Sequence, residues 1–201
     1  MTLALVVGCS DHVWDEVEAA QRLADYHAFY VCKMAGIHWD EGHFVWVTLH
    51  PEYMAHYQEK RRALELPDCY EIVAPLINEV GAHWQHHADR RVSYRFPGMS
   101  ASGSSGLFAA KIALDDGHDR VVLAGVPMLR EAKHFARAEV WLQRDNFIDG
   151  WQQAMPHIRG KVRSLSGWTK EKLGMPTPEW LAEAREATTA TGRDALTAME
   201  S

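Results

Sequence analysis

The segment from Pro97 to Met128 constrains the fold more than any other part of the chain. A loop of small residues, Pro97-Gly-Met-Ser-Ala-Ser-Gly-Ser-Ser-Gly106, runs into the apolar stretch Leu107-Phe-Ala-Ala-Lys-Ile-Ala-Leu114. Gly117 then separates this stretch from the β-branched run Arg120-Val-Val-Leu-Ala-Gly125. Small polar residues favour a loop, the apolar stretch is typical of a buried helix, and the short run that ends at glycine is typical of a buried strand. The segment therefore predicts a loop–helix–strand unit of an α/β protein.

The loop has the composition of an anion-binding turn. Its glycines allow the backbone to approach a ligand closely, and its serines supply hydroxyls and helix caps. A helix N-terminus carries unpaired N–H groups and a partial positive charge, which favour a phosphate. We expect Ser104, Ser105 and Gly106 to contact a phosphate or nucleotide; a flexible Gly/Ser connection is the alternative. The loop lacks the Gly-Lys-Ser/Thr ending of a Walker A motif, and no Gly-x-Gly-x-x-Gly follows a clear strand.

The first half of the chain alternates apolar runs with helical patterns. Strands are predicted at Leu3–Val7, Ala28–Cys32, Phe44–Leu49 and Tyr70–Ala74, and helices at Val13–Ala24 and Tyr53–Leu64. This order predicts one Rossmann-like α/β domain, with a mostly parallel sheet flanked by helices.

Residues that follow predicted strands are candidates for the site, because ligands of open α/β sheets bind outside the carboxyl ends of the strands. Gly8, Ser10 and Asp11 follow the first strand, with Ser10 or Asp11 as the cap of the next helix. Gly125 follows the strand that begins at Arg120. His50 follows the third strand and is a candidate acid or base, although a capping or purely structural histidine is equally common there.

The chain changes character after Met128. A helix is predicted at Phe147–Met155, a strand at Val162–Leu165, and a helix that frays into a tail from Leu181 to Ser201. Four of the eight tryptophans fall in this part: Trp141, Trp151, Trp168 and Trp180. Burial or a subunit contact is favoured over stacking on a sugar or base. We divide the chain into a nucleotide-binding core (1–128), a Trp-rich helical extension that completes the site or an oligomer contact (129–181), and a tail (182–201).

Composition narrows the class of protein. With 201 residues and 47% hydrophobic content, the chain suits one domain with a sizeable core. The net charge of −6 disfavours a nucleic-acid partner. The three cysteines form no Cys-x-x-Cys pair, which argues against a disulfide framework or a zinc site and fits a reducing compartment. No apolar run is long enough for a membrane span, so a soluble, cytoplasmic protein is expected.

A histidine-rich segment, Ala82-His-Trp-Gln-His-His87, raises the possibility of a metal site, because His83 and His87 would share one face of a helix. No glutamate stands between them as in a zincin helix. We expect His83, His86 and His87 at a surface or an oligomer contact, and no metal or other cofactor to be required.

Two patterns together resemble a known group of proteins. They are the strand followed by Gly8-x-Ser, and the motif Ser104-Ser-Gly-Leu-x-Ala-Ala-x-x-Ala-Leu-x-x-Gly-x-x-x-Val-Val-Leu-Ala-Gly125. Residues 3–128 are similar to the small Rossmann-type fold of bacterial CMP-sialic-acid-dependent sialyltransferases, flagellin-modifying glycosyltransferase-like proteins and archaeal-type hydroxymethylpterin pyrophosphokinases, a group with relatives in bacteria and phages.

The resemblance implies a site that binds a nucleotide-activated sugar, with a CMP-linked donor as one possibility. Gly8 and Ser10 would lie against the nucleotide or its phosphates, and Ser104, Ser105 and Gly106 would contact the phosphate or the transferred group. Gly125 would form the floor of the pocket. A histidine after that glycine would be the general base, and His134 is the nearest candidate, followed by His157; His50 is the candidate from strand position.

Two readings of function remain open at this stage. The first is a glycosyltransferase-like enzyme. The second is a non-catalytic module that binds a nucleotide or a nucleotide-derived signal, which fits the absence of an acidic residue in Val126-Pro127-Met128. A phosphoryl or pyrophosphoryl transferase is a third possibility, for which only Asp11, Asp115 and Asp116 offer carboxylates to magnesium near the predicted loops.

Overall fold

The structure, a computed structural model, describes residues 2–80, 86–140 and 144–182, except for the side chains at 80 and 138–140. The strands are β1 Leu3–Val7, β2 Ala28–Cys32, β3 Val45–Val47, β4 Glu71–Pro75, β5 Arg90–Val92, β6 Arg120–Ala124, β7 Lys133–His134, β8 Arg137–Val140 and β9 Val162–Ser164. The helices are α1 Val13–Leu23, α2 Ala35–His38, α3 Met54–Ala63, α4 Ile77–Val80, α5 Ser105–Asp115, α6 Arg144–Ile158 and α7 Gly167–Leu173, and a 3-10 turn covers Pro51–Tyr53.

Seven strands form one parallel sheet in the order β5-β4-β3-β2-β1-β6-β9. The chain builds the sheet outward from β1 to β5, then returns to the other side of β1 for β6 and β9. The order therefore reverses between β1 and β6, and such a switch point opens a crevice at the carboxyl ends of the two strands. This confirms the predicted α/β fold with a mostly parallel sheet flanked by helices.

The core has two halves, one on each face of the sheet. All five residues of β1 are buried, and they alternate between the two faces. Ala4 and Val6 lie in the half that contains α5, whereas Leu3, Leu5 and Val7 lie in the half that contains α1. Nine of the eleven residues of α5 are buried, which explains why this helix reads as apolar on every side.

Several predicted boundaries move by a few residues. The helix after the glycine-rich loop begins at Ser105 rather than near Leu107. Neither Ser10 nor Asp11 caps α1, because His12 occupies the N-cap position and makes no side-chain cap bond. β3 is shorter than the apolar run that predicted it. The edge strand β5, with the sequence Arg-Arg-Val, has no apolar signal and was not predicted.

The C-terminal part completes the sheet. β9 pairs with β6 through Val121–Leu123, and Trp151 and Trp180 are buried in opposite halves of the core. Trp168 is partly buried against the first half, whereas Trp141 and residues 183–201 lie outside the described residues. Within the described ranges, no helix has both the length and the apolar composition needed to cross a bilayer.

Candidate functional site

The carboxyl ends of β1 and β6 remain joined beyond the last strand residues. The Gly8 N–H donates to the Ala124 carbonyl at 2.7 Å, and the Ser10 N–H donates to the Gly125 carbonyl at 3.2 Å. A Cβ atom at Gly8 would lie 2.1 Å from the Gly125 oxygen, a distance that no side chain tolerates. Glycine at position 8 therefore allows the two strand ends to meet at the switch point.

Gly125 is held in a left-handed conformation by a residue that the sequence did not single out. Its φ is 70°, and its N–H donates to the Glu16 carboxylate at 2.7 Å. Glu16 lies in the first turn of α1, so the carboxylate links this helix to the end of β6. A Cβ atom at Gly125 would lie 2.5 Å from the Val13 side chain, which adds a steric reason for glycine.

The β7–β8 hairpin brings His134 to the end of β1. Ser10 and His134 form an isolated antiparallel bridge. On either side of it, the Asp11 N–H donates to the Lys133 carbonyl at 3.0 Å, and the Phe135 N–H donates to the Cys9 carbonyl at 3.1 Å. The predicted residues Gly8, Ser10, Gly125 and His134 are therefore neighbours in space.

The N-terminus of α5 lies against the same region. A Cβ atom at Gly106 would be 2.7 Å from Val126, the residue that follows Gly125, and the Cys32 thiol at the end of β2 lies 3.5 Å from the Ser105 carbonyl oxygen. The Cys9 thiol in turn lies 3.3 Å from the Cys32 carbonyl oxygen. α5 thus begins where β1, β2 and β6 end, as the predicted anion site requires.

The two serines at the start of α5 differ in their hydrogen bonds. The Ser104 hydroxyl accepts a bond of 3.2 Å from the indole N–H of Trp151. The Ser105 hydroxyl is buried and has no hydrogen-bond partner among the described residues. The Ser10 hydroxyl is also buried and has no hydrogen-bond partner in the described part of the chain. Ser10 is 6% exposed and Ser105 is 7% exposed. Buried hydroxyls are normally bonded, so both are available to a ligand or an ordered water.

His134 is neutral at physiological pH. Burial, together with the smaller effect of the nearby cations Arg137 and Lys33, lowers its pKa to about 4. Its Nδ1 accepts a bond of 3.1 Å from the Ala136 N–H, so the single proton of the neutral ring is on Nε2. In this tautomer, His134 is a hydrogen-bond donor at Nε2.

His50 has the opposite arrangement. Its Nδ1 lies 2.9 Å from the Glu52 carboxylate, which can only accept, so Nδ1 carries the proton of the neutral ring, whose lone pair is then on Nε2. His50 follows β3 in the chain, and its side chain is 38% exposed. Two strand spacings of about 4.8 Å separate β3 from β1, so His50 lies about 10 Å along the same edge from the end of β1.

Lys33 and Arg137 place positive charge beside His134, and the sequence analysis did not identify them as site residues. Lys33 follows β2 with a φ of 44°, and its carbonyl accepts a bond of 2.6 Å from the Trp46 indole. Arg137 is opposite His134 in the hairpin. Neither side chain forms an ion pair with a carboxylate among the described residues. Lys33 lies at the end of β2 and Arg137 at the start of β8, so their approach to His134 becomes visible only in the folded chain.

Asp11 and the remaining histidines take less part in this arrangement. The side chain of Asp11 is 37% exposed and lies 4.0 Å from His12, while its backbone holds the hairpin. His157 lies elsewhere, with its ring stacked on Phe96 and its Nε2 at 3.1 Å from the Pro97 carbonyl oxygen. His86 and His87 are exposed, and His83 lies outside the described residues.

Solved structures with the same architecture are sialyltransferases. One is the sialyltransferase CST-II in complex with a trisaccharide acceptor and CMP, at 11% identity and a TM-score of 0.59, covering 88% of this chain and 87% of that chain. Another is CstII from Campylobacter jejuni with the substrate analogue CMP-3FNeuAc, at 10% identity and a TM-score of 0.58, covering 89% and 87%. The chain shares the fold of the CstII sialyltransferases. No family model and no curated protein matches the sequence.

The CstII-like fold explains why the predicted residues converge. Strand ends of a parallel sheet meet at one edge, so Gly8, Ser10 and Gly125 come together although they lie far apart in the chain. Glu16, Lys33 and Arg137 carry no motif, and only their contacts identify them. The edge therefore combines a helix N-terminus, two hydroxyls that have no partner in the described part of the chain, and the cations Lys33 and Arg137, which suits an anionic ligand with hydroxyl or phosphate oxygens.

Proposed function

We propose that this protein is a glycosyltransferase-like enzyme that binds a nucleotide-activated sugar at the carboxyl edge of β1 and β6. One observation carries the proposal: where the strand order reverses, the buried hydroxyls of Ser10 and Ser105 have no hydrogen-bond partner within the described ranges of the chain. A bound ligand would satisfy both groups. The CMP and CMP-3FNeuAc complexes of proteins with the same fold support a nucleotide-linked donor, and a CMP-linked sugar is the first to test.

The phosphate of the donor would lie at the N-terminus of α5. Ser104, Ser105 and Gly106 present backbone N–H groups there, and the helix dipole favours negative charge. Lys33 and Arg137 add positive charge. Neutral His134 carries its proton on Nε2, so this nitrogen would donate a hydrogen bond to the phosphate. These groups would stabilise the charge that develops on the leaving phosphate. Gly8 and Gly125, which let the ends of β1 and β6 meet and let Val13 pack against them, would form the floor beneath the nucleotide.

A general base would take the proton of the acceptor hydroxyl. His134 and His50 are the candidates, and the hydrogen bonds favour His50, because Glu52 holds its proton on Nδ1 and leaves the lone pair on Nε2. The acceptor oxygen would attack the anomeric carbon as its proton passes to His50. The bond from that carbon to the phosphate oxygen would break, and the nucleotide would leave with both electrons.

Nucleotide titrations test this proposal. We expect CMP or another nucleoside monophosphate to bind in calorimetry, measured both in EDTA and with magnesium. Ser105→Ala removes an unpaired hydroxyl, so it should weaken binding about tenfold, the loss of about 1.4 kcal/mol, with little change in stability. Ser104→Ala is the matched control: it leaves the Trp151 N–H unpaired and should lower stability by about 1–2 kcal/mol while affinity changes less than twofold.

The outcomes separate the open functions. If no nucleotide binds, the proposed site is wrong. Equal affinity in the wild type and Ser105→Ala would show that the nucleotide binds elsewhere. Binding without hydrolysis or transfer of any donor sugar would favour the non-catalytic nucleotide-binding module.

A further inference from the structure

A cavity of about 200 Å³ lies between α1 and the residues after α2. Its lining combines two indoles (Trp14 and Trp39), three carboxylates (Glu18, Asp40 and Glu41), one amide (Gln21) and the apolar Val17. These side chains are not among the residues that form the candidate phosphate site. Ligand pockets for drug-sized molecules measure about 300–1,000 Å³, so this cavity suits a smaller group, of the size of one sugar ring.

The aromatic residues of the cavity have one exposed ring and one unsatisfied donor. Trp14 is 36% exposed, so its ring offers a flat apolar surface to a ligand. Trp39 is 1% exposed, and its indole N–H is buried without a hydrogen-bond partner among the described residues. An unpaired buried N–H costs free energy that an acceptor oxygen on a ligand would recover.

Two polar side chains of the cavity are free to bind a ligand. Glu18 is paired with Arg22 at 2.5 Å, whereas Gln21 and Glu41 form no side-chain hydrogen bond or ion pair within the described part of the chain. Carboxylates and an amide next to an exposed indole can bind the hydroxyls of a sugar while its C–H face packs on the ring. An organic cation would also suit acids and aromatic rings, but it would leave the Trp39 N–H unpaired.

The cavity adjoins the candidate site. Trp14 packs edge-on against Phe135 with 5.5 Å between ring centroids, and Phe135 follows His134 in the hairpin that closes over the end of β1. A chain of sugar residues that reached the donor from this side would pass the Trp14–Phe135 contact. The cavity is thus placed for a part of the acceptor that does not itself react.

From these observations, we propose that the cavity lined by Trp14, Gln21, Trp39 and Glu41 binds one neutral or amino sugar of the acceptor glycan. The acceptor role rests on the proposed glycosyltransferase function, whereas sugar binding itself does not. The negative charge of Glu18, Asp40 and Glu41 would repel uronic acids and other anionic sugars.

The test is a ligand-observed NMR titration of the full chain with four probes: methyl β-galactoside, N-acetylglucosamine, glucuronic acid and choline. We expect saturable binding of at least one neutral sugar, and binding of glucuronic acid at least fivefold weaker. Trp14→Ala and Gln21→Ala should each weaken the binding of the neutral sugar at least fivefold. Tyr70→Ala is the matched control, because this ring is 76% exposed and lies outside the cavity.

Two variants keep the test decisive, since Trp14→Ala also removes the contact with Phe135 whereas Gln21→Ala does not. The proposal is overturned if no neutral sugar binds, if both variants bind as the wild type does, or if choline binds and the sugars do not. Titrating CMP into the same samples separates the two proposals. If the wild type binds the sugar but not CMP, the proposed transferase function is wrong and the sugar site stands. If it binds CMP but no sugar, the proposal for this cavity is wrong and the nucleotide site stands.

Discussion

At the scale of single residues, hydrogen bonds distinguish two histidines that the sequence treats alike. His50 and His134 were both chosen from their place after a strand or a glycine. The Glu52 carboxylate fixes the proton of His50 on Nδ1, whereas the Ala136 N–H fixes the proton of neutral His134 on Nε2. Position along the chain can suggest a histidine, but its partners decide whether it accepts or donates a proton.

This difference predicts a split between rate and affinity. His50→Gln should lower kcat for transfer at least a hundredfold, because general-base catalysis contributes about 10²- to 10⁴-fold, while nucleotide affinity changes less than twofold. His134→Gln should instead weaken nucleotide binding, since it alters a group beside the phosphate region. Steady-state kinetics and calorimetry measure the two effects.

The control for this experiment is His56→Gln, the same substitution at an exposed position on α3. It should leave kcat and affinity within twofold of the wild type. A normal kcat in His50→Gln together with a hundredfold loss in His134→Gln would reverse the assignment of the base.

At the scale of elements, the sequence predicts what is apolar and periodic and misses what is short and polar. β1, β2 and α5 were recognised because their buried residues form continuous apolar runs. The β7–β8 hairpin was not recognised, because Lys133–His134 is two residues long and Arg137–Val140 contains charged residues. Segments this short show no hydrophobic period. The hairpin is positioned by backbone hydrogen bonds to Cys9 and Asp11, which the sequence does not reveal.

The contact between the ends of β1 and β6 gives a prediction at this scale. Gly8→Ala would place a methyl group 2.1 Å from the Gly125 oxygen, so the strand ends must separate. We expect a loss of about 2–3 kcal/mol in the free energy of unfolding, as for an overpacked core, together with loss of nucleotide binding. Urea denaturation and calorimetry measure both.

Gly160→Ala provides the comparison for Gly8→Ala. Gly160 has a φ of 82° and nothing within 4 Å of its added methyl group, so its substitution should cost about 1 kcal/mol through backbone strain alone. Nucleotide binding should remain unchanged. Equal destabilisation by the two substitutions, with binding retained in both, would show that the close approach at Gly8 has no special role.

At the scale of the whole molecule, two partly buried histidines in distant parts of the fold make its stability depend on pH. His134 lies in the hairpin over β1, and His118 lies between α5 and β6, where its ring packs edge-on against Tyr30. Burial is the main cause that lowers the pKa of each, in His118 against the raising effect of Asp116. The Nδ1 of His118 is also buried without a hydrogen-bond partner among the described residues.

Acid should therefore destabilise the fold before its carboxylates are protonated. The unfolded chain has histidine pKa values near 6.5, above those of His118 and His134 in the folded state, so it takes up protons first as the pH falls. The stabilising contribution of the neutral rings is complete above about pH 7 and decreases from about pH 6.5 towards 4, the pKa of His134.

We expect the midpoint of urea denaturation to fall steadily between pH 7 and 5. In the double variant His118→Gln/His134→Gln, this decrease should be clearly smaller, while His86→Gln/His87→Gln, which replaces two exposed histidines, should follow the wild type. If the wild type and the His118/His134 variant lose stability at the same rate over this range, the pH dependence comes from other groups.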